Sequence, residues 1–183
     1  MAERGDEKFP TLVHVQEGSF LNDNQDEKWL LEEGAAFDLV EALNLKCGFS
    51  YEIVEHGDRP DIVIADSLSG MRIGVEVTHL FYDTDEARMI FGRSLNNERS
   101  PENIEECIRR LNTLLFQKAE KARGYDHEAP LALLVRVISQ VFKKEDFQVN
   151  SSKIIVPASD FQYIWLLFYD FHLKRWLNLE QLR

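Results

Sequence analysis

The stretch Arg59-Pro-Asp-Ile-Val-Ile-Ala-Asp66 is followed, after a short turn, by Met71-Arg-Ile-Gly-Val-Glu-Val-Thr-His79. An acidic residue, Asp61, opens the first apolar strand, and a second one, Glu76, interrupts the middle of the next strand. Burial of an ionised carboxylate is costly in free energy unless the group is paired or binds a metal ion. The two stretches therefore predict paired strands that carry a candidate metal site.

The composition of the chain predicts one folded domain over residues 1–183, with a core at about 25–170. The chain is 44% hydrophobic and 11% aromatic, and it shows neither a membrane-spanning apolar run nor a signal-peptide pattern. Cys47 and Cys107 lack metal-ligand spacing and are expected to be free thiols in a reducing compartment. We therefore expect a cytoplasmic protein.

The net charge of −11 limits the classes of partner. It counts against broad, charge-driven adhesion to nucleic acid, because such binding needs Lys and Arg to displace counterions. It leaves room for a local basic groove, since net charge averages over all faces. It also fits an acidic metal site or a protein that binds a soluble partner.

The first half of the chain predicts a helix followed by a meander of three strands. Residues 25–45 have an apolar stripe at helical spacing, formed by Trp29, Ala36, Phe37, Val40 and Leu43. Residues 49–55, 61–66 and 71–80 read as strands. The turns between the strands are short, which favours antiparallel pairing.

The second half predicts a long helix and two more strands. Ser100 as N-cap with Pro101 at the first helical position indicates the helix start, and Gly124 indicates its end. Residues 131–138 and 163–169 are apolar runs typical of buried strands. The apolar residues of the tail, 171–183, lie near helical spacing and predict core packing or a dimer contact. The fold class that follows is α/β, with a mixed central sheet flanked by helices.

Strand alternation places Glu76 and Thr78 on one face of the third strand. Asp61, at the start of the neighbouring strand, can reach the same face. Two carboxylates and a backbone carbonyl make an open site for a hard cation such as Mg²⁺. The alternative is that Asp61 caps the turn after Pro60 and that Glu76 pairs with a basic neighbour.

Pro60-Asp61, followed after fourteen intervening residues by Glu76-Val-Thr78, resembles the motif of the PD-(D/E)XK nuclease superfamily, which has the restriction-endonuclease-like fold. The matching order of elements covers roughly residues 25–140. The resemblance, to a divergent member, implies an αβββαβ core in which Asp61 and Glu76 bind Mg²⁺ or Mn²⁺. It also implies metal-dependent hydrolysis of phosphodiester bonds.

The lysine expected from this resemblance falls at Thr78, which carries no charge. Some members of the superfamily place that lysine on a nearby helix, and Lys118 is the candidate here. It lies three and four residues after Leu115 and Leu114, within the apolar face of the long helix. Lys121, at the edge of that face, is the second choice. The alternative is that Lys118 extends its ammonium group into water.

The resemblance also implies an acidic residue from the first helix. Helical spacing places Glu33 near the centre of the apolar stripe and Glu32 at its flank, so Glu33 is preferred. The alternative is a solvated carboxylate at the edge of the stripe. His79 alternates to the face opposite Glu76 and is expected to be structural. Further contacts with a phosphate backbone are possible at Arg88, Arg93 and Arg99, each of which also fits a solvated loop.

The function predicted from these residues is that of an endonuclease with Asp61, Glu76, Lys118 and Glu33 as catalytic residues. Its partner is nucleic acid, with DNA favoured over RNA, and a homodimer is possible. One alternative is a catalytically inactive relative that binds nucleic acid or a protein. A third class is a small acidic partner protein, such as an inhibitor, with no metal dependence.

Overall fold

The computed structural model describes residues 25–81, 103–125, 129–139 and 141–183. Its elements, in chain order, are α1 (Gln25–Cys47), β1 (Tyr51–His56), β2 (Ile62–Asp66), β3 (Arg72–Phe81), α2 (Ile104–Ala122), β4 (Leu131–Ile138), α3 (Lys144–Val149), a 3₁₀ turn (Ser151–Lys153), β5 (Phe161–Asp170) and β6 (Arg175–Gln181). None of the described helices is long and apolar enough to span a membrane.

The six strands form one mixed sheet in the order in which they occur along the chain. The first three strands are an antiparallel meander, β4 pairs parallel with β3, β5 pairs parallel with β4, and β6 closes the sheet antiparallel to β5. The predicted α/β class and mixed central sheet are therefore confirmed. The parallel pair β3–β4 needs a crossover, and helix α2 lies within it.

Two cores lie on opposite faces of the sheet. One contains Val75 and Val77 of β3 together with the buried residues of α1. The other contains Leu131, Leu133 and Val135 of β4 together with the buried residues of α2. All eight residues of β4 are buried, because helices cover both faces of the sheet there. Consequently α1 and α2 approach β3 from opposite sides.

Helix α1 packs against the sheet through a different face from the one that its large apolar residues predict. Trp29 is 47% exposed and Phe37 is 60% exposed, so the predicted stripe is wrong at both positions. The helix instead buries a row of mostly small residues, namely Ala35, Ala36, Leu39, Ala42 and Leu43. Small side chains let the helix axis come close to the sheet, and this rotation decides which polar residues of α1 face β3.

Two further boundaries differ from the sequence predictions. Helix α2 begins at Ile104, where the side chain of Asn103 accepts from the backbone N–H of Glu105, so Ser100 is not its N-cap. Residues 100–102 themselves lie outside the described residues. The tail forms strand β6 although its apolar residues lie near helical spacing, and Trp176 and Leu177 pack in the core, which was one of the two predictions for the tail. Strand β6 follows a turn in which the Asp170 carboxylate accepts from the N–H groups of His172 and Leu173.

Candidate active site

A cavity of about 740 Å³ opens where α1, the start of β2, the middle of β3 and the end of α2 meet. Carboxylates and cations from four separate parts of the chain line it. The residues are Leu31, Glu32, Asp58, Arg59, Asp61, Glu76, Val77, Thr78, His79, Lys118, Lys121 and Tyr125. Asp61, Glu76 and Lys118, predicted from the sequence as site residues, are thus brought together.

Asp61 owes its position to a close contact between Pro60 and Gly74. A Cβ atom on Gly74 would lie 2.7 Å from Cγ of Pro60, so only glycine allows the Pro60 ring to lie against β3. Next along the chain, Asp61 is 7% exposed, and its Oδ2 accepts from the backbone N–H of Val77 at 2.7 Å. The Asp61 carboxylate is therefore held beside β3 just where β2 begins.

Glu76 of β3 and Lys118 of α2 form a buried ion pair that links the strand to the helix. Nζ of Lys118 lies 2.7 Å from Oε1 of Glu76 and 3.4 Å from the carbonyl oxygen of Val77. The side chains are 15% exposed for Lys118 and 7% exposed for Glu76. The other carboxylate oxygen, Oε2 of Glu76, is buried and has no hydrogen-bond partner among the described residues. Lys118 thus points at the sheet, and Oε2 of Glu76 is a buried acceptor without a donor among the described residues.

Asp61 is buried close to two other carboxylates of the cavity. Burial raises the pKa of Asp61 to about 7, and the neighbouring charges of Glu76 and then Glu32 act in the same direction. The Val77 N–H bond and the Lys118 ammonium lower the pKa of Asp61, but they offset only part of this effect. An added cation would lower this pKa and stabilise both carboxylates in their ionised form.

The third carboxylate of the site is Glu32 and not Glu33. Glu32 lines the cavity and Glu33 does not. The reason is the rotation of α1, because Glu32 lies three, four and seven residues before Ala35, Ala36 and Leu39, on the face that packs against the sheet. The pair Ala35-Ala36, followed by Leu39, was the sequence signal for this face.

Tyr125 is a site residue that the sequence reasoning missed. It follows α2 and lies four residues after Lys121 and seven after Lys118, so helical spacing continued past Gly124 would have indicated it. Burial raises the pKa of the Tyr125 hydroxyl, and the negative charges of Glu76 and Asp61 act in the same direction. The hydroxyl therefore stays protonated and can donate.

The neighbours of Glu76 on β3 differ in environment. Thr78 lines the cavity at the position where the resemblance places a lysine. His79 pairs in register with Arg136 of β4. Burial lowers the pKa of His79 to about 3, with Arg136 and then Lys118 acting in the same direction. The imidazole is therefore neutral at physiological pH. Its two ring nitrogens have no hydrogen-bond partner among the described residues.

The donor set suits a hard cation held by few protein ligands. Within the described parts of the chain, no group of three or more His, Cys, Asp or Glu side chains is arranged to hold a metal ion. Asp61 and Glu76 nevertheless both line the cavity, and Oε2 of Glu76 has no hydrogen-bond partner among the described residues. Mg²⁺ commonly binds through one or two carboxylates and keeps several waters, so the residues present fit it. Arg88, Arg93 and Arg99 lie outside the described residues.

Comparison with known proteins found no significant match to this chain. No protein-family model matches the chain, and neither the curated proteins nor the solved structures contain a significant match.

Proposed function

We propose that this protein hydrolyses phosphodiester bonds of nucleic acid with Mg²⁺ or Mn²⁺ bound at Asp61 and Glu76. The observation that carries the proposal is the buried contact of 2.7 Å between Nζ of Lys118 and Oε1 of Glu76, in the cavity that also contains Asp61. Two carboxylates and an inward lysine are the parts that metal-assisted attack on a phosphate requires.

The order of elements supports a restriction-endonuclease-like core. Helix α1, the meander β1–β3, helix α2 and strand β4 follow one another as the resemblance implies, and the four strands are neighbours in the sheet. Asp61 precedes β2 and Glu76 lies within β3, which is the relation that the motif requires. The lysine comes from α2, since Thr78 occupies its usual position.

Each residue then has a defined chemical task. A divalent cation, when bound, polarises the phosphate and lowers the pKa of its water. Asp61 and Glu76 hold that cation through their oxygens. The Lys118 ammonium can orient the attacking water and offset negative charge on the phosphate oxygens. Glu32 adds a third carboxylate that can hold cation-bound water in place.

The direct test is cleavage of single- and double-stranded DNA and RNA with Mg²⁺ or Mn²⁺. We expect Asp61→Asn and Glu76→Gln each to lower the cleavage rate about 100-fold or more. Mutation of a residue that only hydrogen-bonds to a metal ligand already lowers activity about 10- to 100-fold, and loss of the ligand itself should lower it further. Asp66→Asn, the same change at the other end of β2, is the matched control and should retain activity. Cleavage that persists unchanged in both site variants would refute the proposal.

A second candidate is a catalytically inactive nuclease-like protein that binds nucleic acid or a protein. The observation that favours it is Thr78, together with a Lys118 ammonium that already neutralises one oxygen of Glu76. Calorimetry with Mn²⁺ separates the candidates. A measured affinity that Glu76→Gln abolishes supports the nuclease, whereas no heat of binding in the wild-type protein supports the inactive relative.

A further inference from the structure

Two cations of the cavity have no task in the proposed chemistry. Arg59 and Lys121 both line the cavity and are both exposed. Within the described residues, neither side chain is in an ion pair, in contrast to Lys118. A cation that lines an acidic cavity without pairing to its carboxylates is available to an anionic ligand.

The positions of the two cations are set by the elements that carry the carboxylates. Lys121 lies three residues after Lys118 on α2, so it comes from the same side of the helix. Arg59 comes two residues before Asp61, and its guanidinium lies 5.9 Å from the centre of the Tyr125 ring. Arg59, Lys121 and Tyr125 therefore converge beside Asp61 and Glu76, and Tyr125 adds a planar ring to the two charges.

We propose that Arg59, Lys121 and Tyr125 form a subsite for a single strand of nucleic acid, the substrate of the proposed nuclease. The two cations bind a phosphate that neighbours the scissile one, and the Tyr125 ring packs against a base or sugar. Basic groups that follow the backbone and aromatic rings that stack with bases are the usual elements of single-strand binding sites. The inference rests on the proposed function for its position next to the carboxylates.

The depth and charge of the cavity favour a single strand over a duplex. Asp61 and Glu76 are only 7% and 5% exposed, so the phosphate must enter a recess to reach them. An unpaired strand can bend into a recess, whereas the phosphates of a duplex stay on its stiff outer surface. A duplex also needs many phosphate contacts, and the chain carries a net charge of −11.

The test compares the binding of a 5′-labelled single-stranded DNA and RNA oligonucleotide and of the matching duplexes, by fluorescence anisotropy in EDTA. We expect Arg59→Gln and Lys121→Gln each to weaken single-strand binding about five- to tenfold and to reduce the salt slope by about 0.7 for each lost phosphate contact. Arg123→Gln is the matched control. Arg123 is exposed, pairs with Glu120 at 2.9 Å and does not line the cavity. The affinity of the Arg123→Gln variant for the single strand and the salt dependence of that affinity should remain those of the wild type.

The outcomes separate this inference from the proposed function. Weaker single-strand binding in both variants supports the subsite even if the wild-type protein cleaves nothing, in which case only the nuclease proposal fails. Cleavage that depends on Asp61, with affinity and KM unchanged in both variants, overturns the subsite and leaves the nuclease proposal standing. Tighter binding of the duplex than of the single strand overturns the choice of substrate. A raised KM with nearly unchanged kcat supports the subsite.

Discussion

Strand β2 has an aspartate at each end, and the two carboxyl groups lie in opposite electrostatic environments. Asp66 accepts hydrogen bonds from the backbone N–H groups of Ser50 and Ser69 and from the Ser69 hydroxyl. The Ser69 hydroxyl and then the Ser50 N–H lower the pKa of Asp66. Among the described residues Asp61 accepts one hydrogen bond, from the backbone N–H of Val77, and burial raises its pKa to about 7.

The difference separates a carboxylate that its own hydrogen bonds stabilise from one that we propose binds a cation. The hydrogen bonds of Asp66 stabilise its ionised form and hold the turn before β3, so this carboxylate needs no further ligand. Asp61 is buried near Glu76 and Glu32, and the Val77 N–H and the Lys118 ammonium offset only part of the rise in its pKa. A protein keeps an unfavourable arrangement of this kind where a ligand completes it, as perturbed carboxyl groups in clefts commonly mark functional sites.

The largest expected effect is the contribution of the Asp61 carboxyl group to the pH dependence of stability. Because the pKa of Asp61 rises from 3.8 unfolded to about 7 folded, its stabilising contribution is complete below pH 4 and is lost as the pH rises to about 7. A shift of this size corresponds to at most about 4 kcal/mol. Relative to Asp61→Asn, the wild-type protein should therefore become less stable between pH 4 and pH 8.

Urea unfolding in EDTA at pH 4 to 8 measures this difference. Asp38, whose pKa burial raises to about 6, titrates in both proteins and so cancels. The contribution of Asp66, taken as the difference between the wild type and Asp66→Asn, should have the opposite sign and a lower pH window. A lowered pKa gives stability that is fully present above the unfolded value of 3.8 and is lost as the pH falls below it. Above about pH 5 the profiles of Asp66→Asn and the wild type should therefore be parallel. Parallel pH profiles of the wild type and Asp61→Asn would contradict the contrast between the two aspartates.

The second largest expected effect is on the free energy of unfolding and concerns Lys118, whose ammonium group pairs with Glu76 near Asp61. We expect Lys118→Met to destabilise the protein by about 3 kcal/mol, because it leaves the buried Glu76 charge without its partner. Lys121→Met, one turn later and exposed, should change stability by less than about 0.5 kcal/mol. Urea unfolding at pH 7 is the measurement.

A double-mutant cycle shows whether the loss comes from the ion pair itself. Lys118→Met combined with Glu76→Gln should be less destabilised than the sum of the single variants, since no unpaired charge then remains buried. Additive single and double variants would mean that Lys118 contributes through packing of its hydrocarbon chain alone.

The smallest expected effect comes from two glycines, Gly74, which contacts Pro60 near the start of β2, and Gly70, which lies in the turn after β2. Gly74→Ala should cost about 1–3 kcal/mol and weaken cation binding, because the added Cβ would lie 2.7 Å from Cγ of Pro60 and displace Asp61. Gly70→Ala is the matched control in the Asp66 turn. Gly70 has φ +72° and no atom within 4 Å of an added Cβ, so alanine should strain the turn and leave the site intact.

Urea unfolding and Mn²⁺ titration of both glycine variants check this pair. Equal losses of Mn²⁺ affinity in Gly70→Ala and Gly74→Ala would show that the two ends of β2 are not independent.

Local periodicity correctly predicted the direction of two site residues, Glu76 and Lys118. Alternation along β3 put Glu76 and Thr78 on one face, and helical spacing turned Lys118 toward the sheet. The same reasoning failed for α1, where the large residues Trp29 and Phe37 indicated the wrong stripe. Packing of Ala35 and Ala36 decided the rotation of the helix, and with it the choice of Glu32 over Glu33.

The order of the elements and the inward direction of Glu76 and Lys118 follow from the sequence, because backbone geometry repeats every two residues in a strand and every 3.6 in a helix. The convergence of Arg59, Lys121 and Tyr125 with the carboxylates does not follow from the sequence. These residues belong to a turn, a helix end and the segment after it, and neither period relates them to β3. Only the close contact of Pro60 with Gly74 and the packing of α2 against the sheet bring them to one cavity.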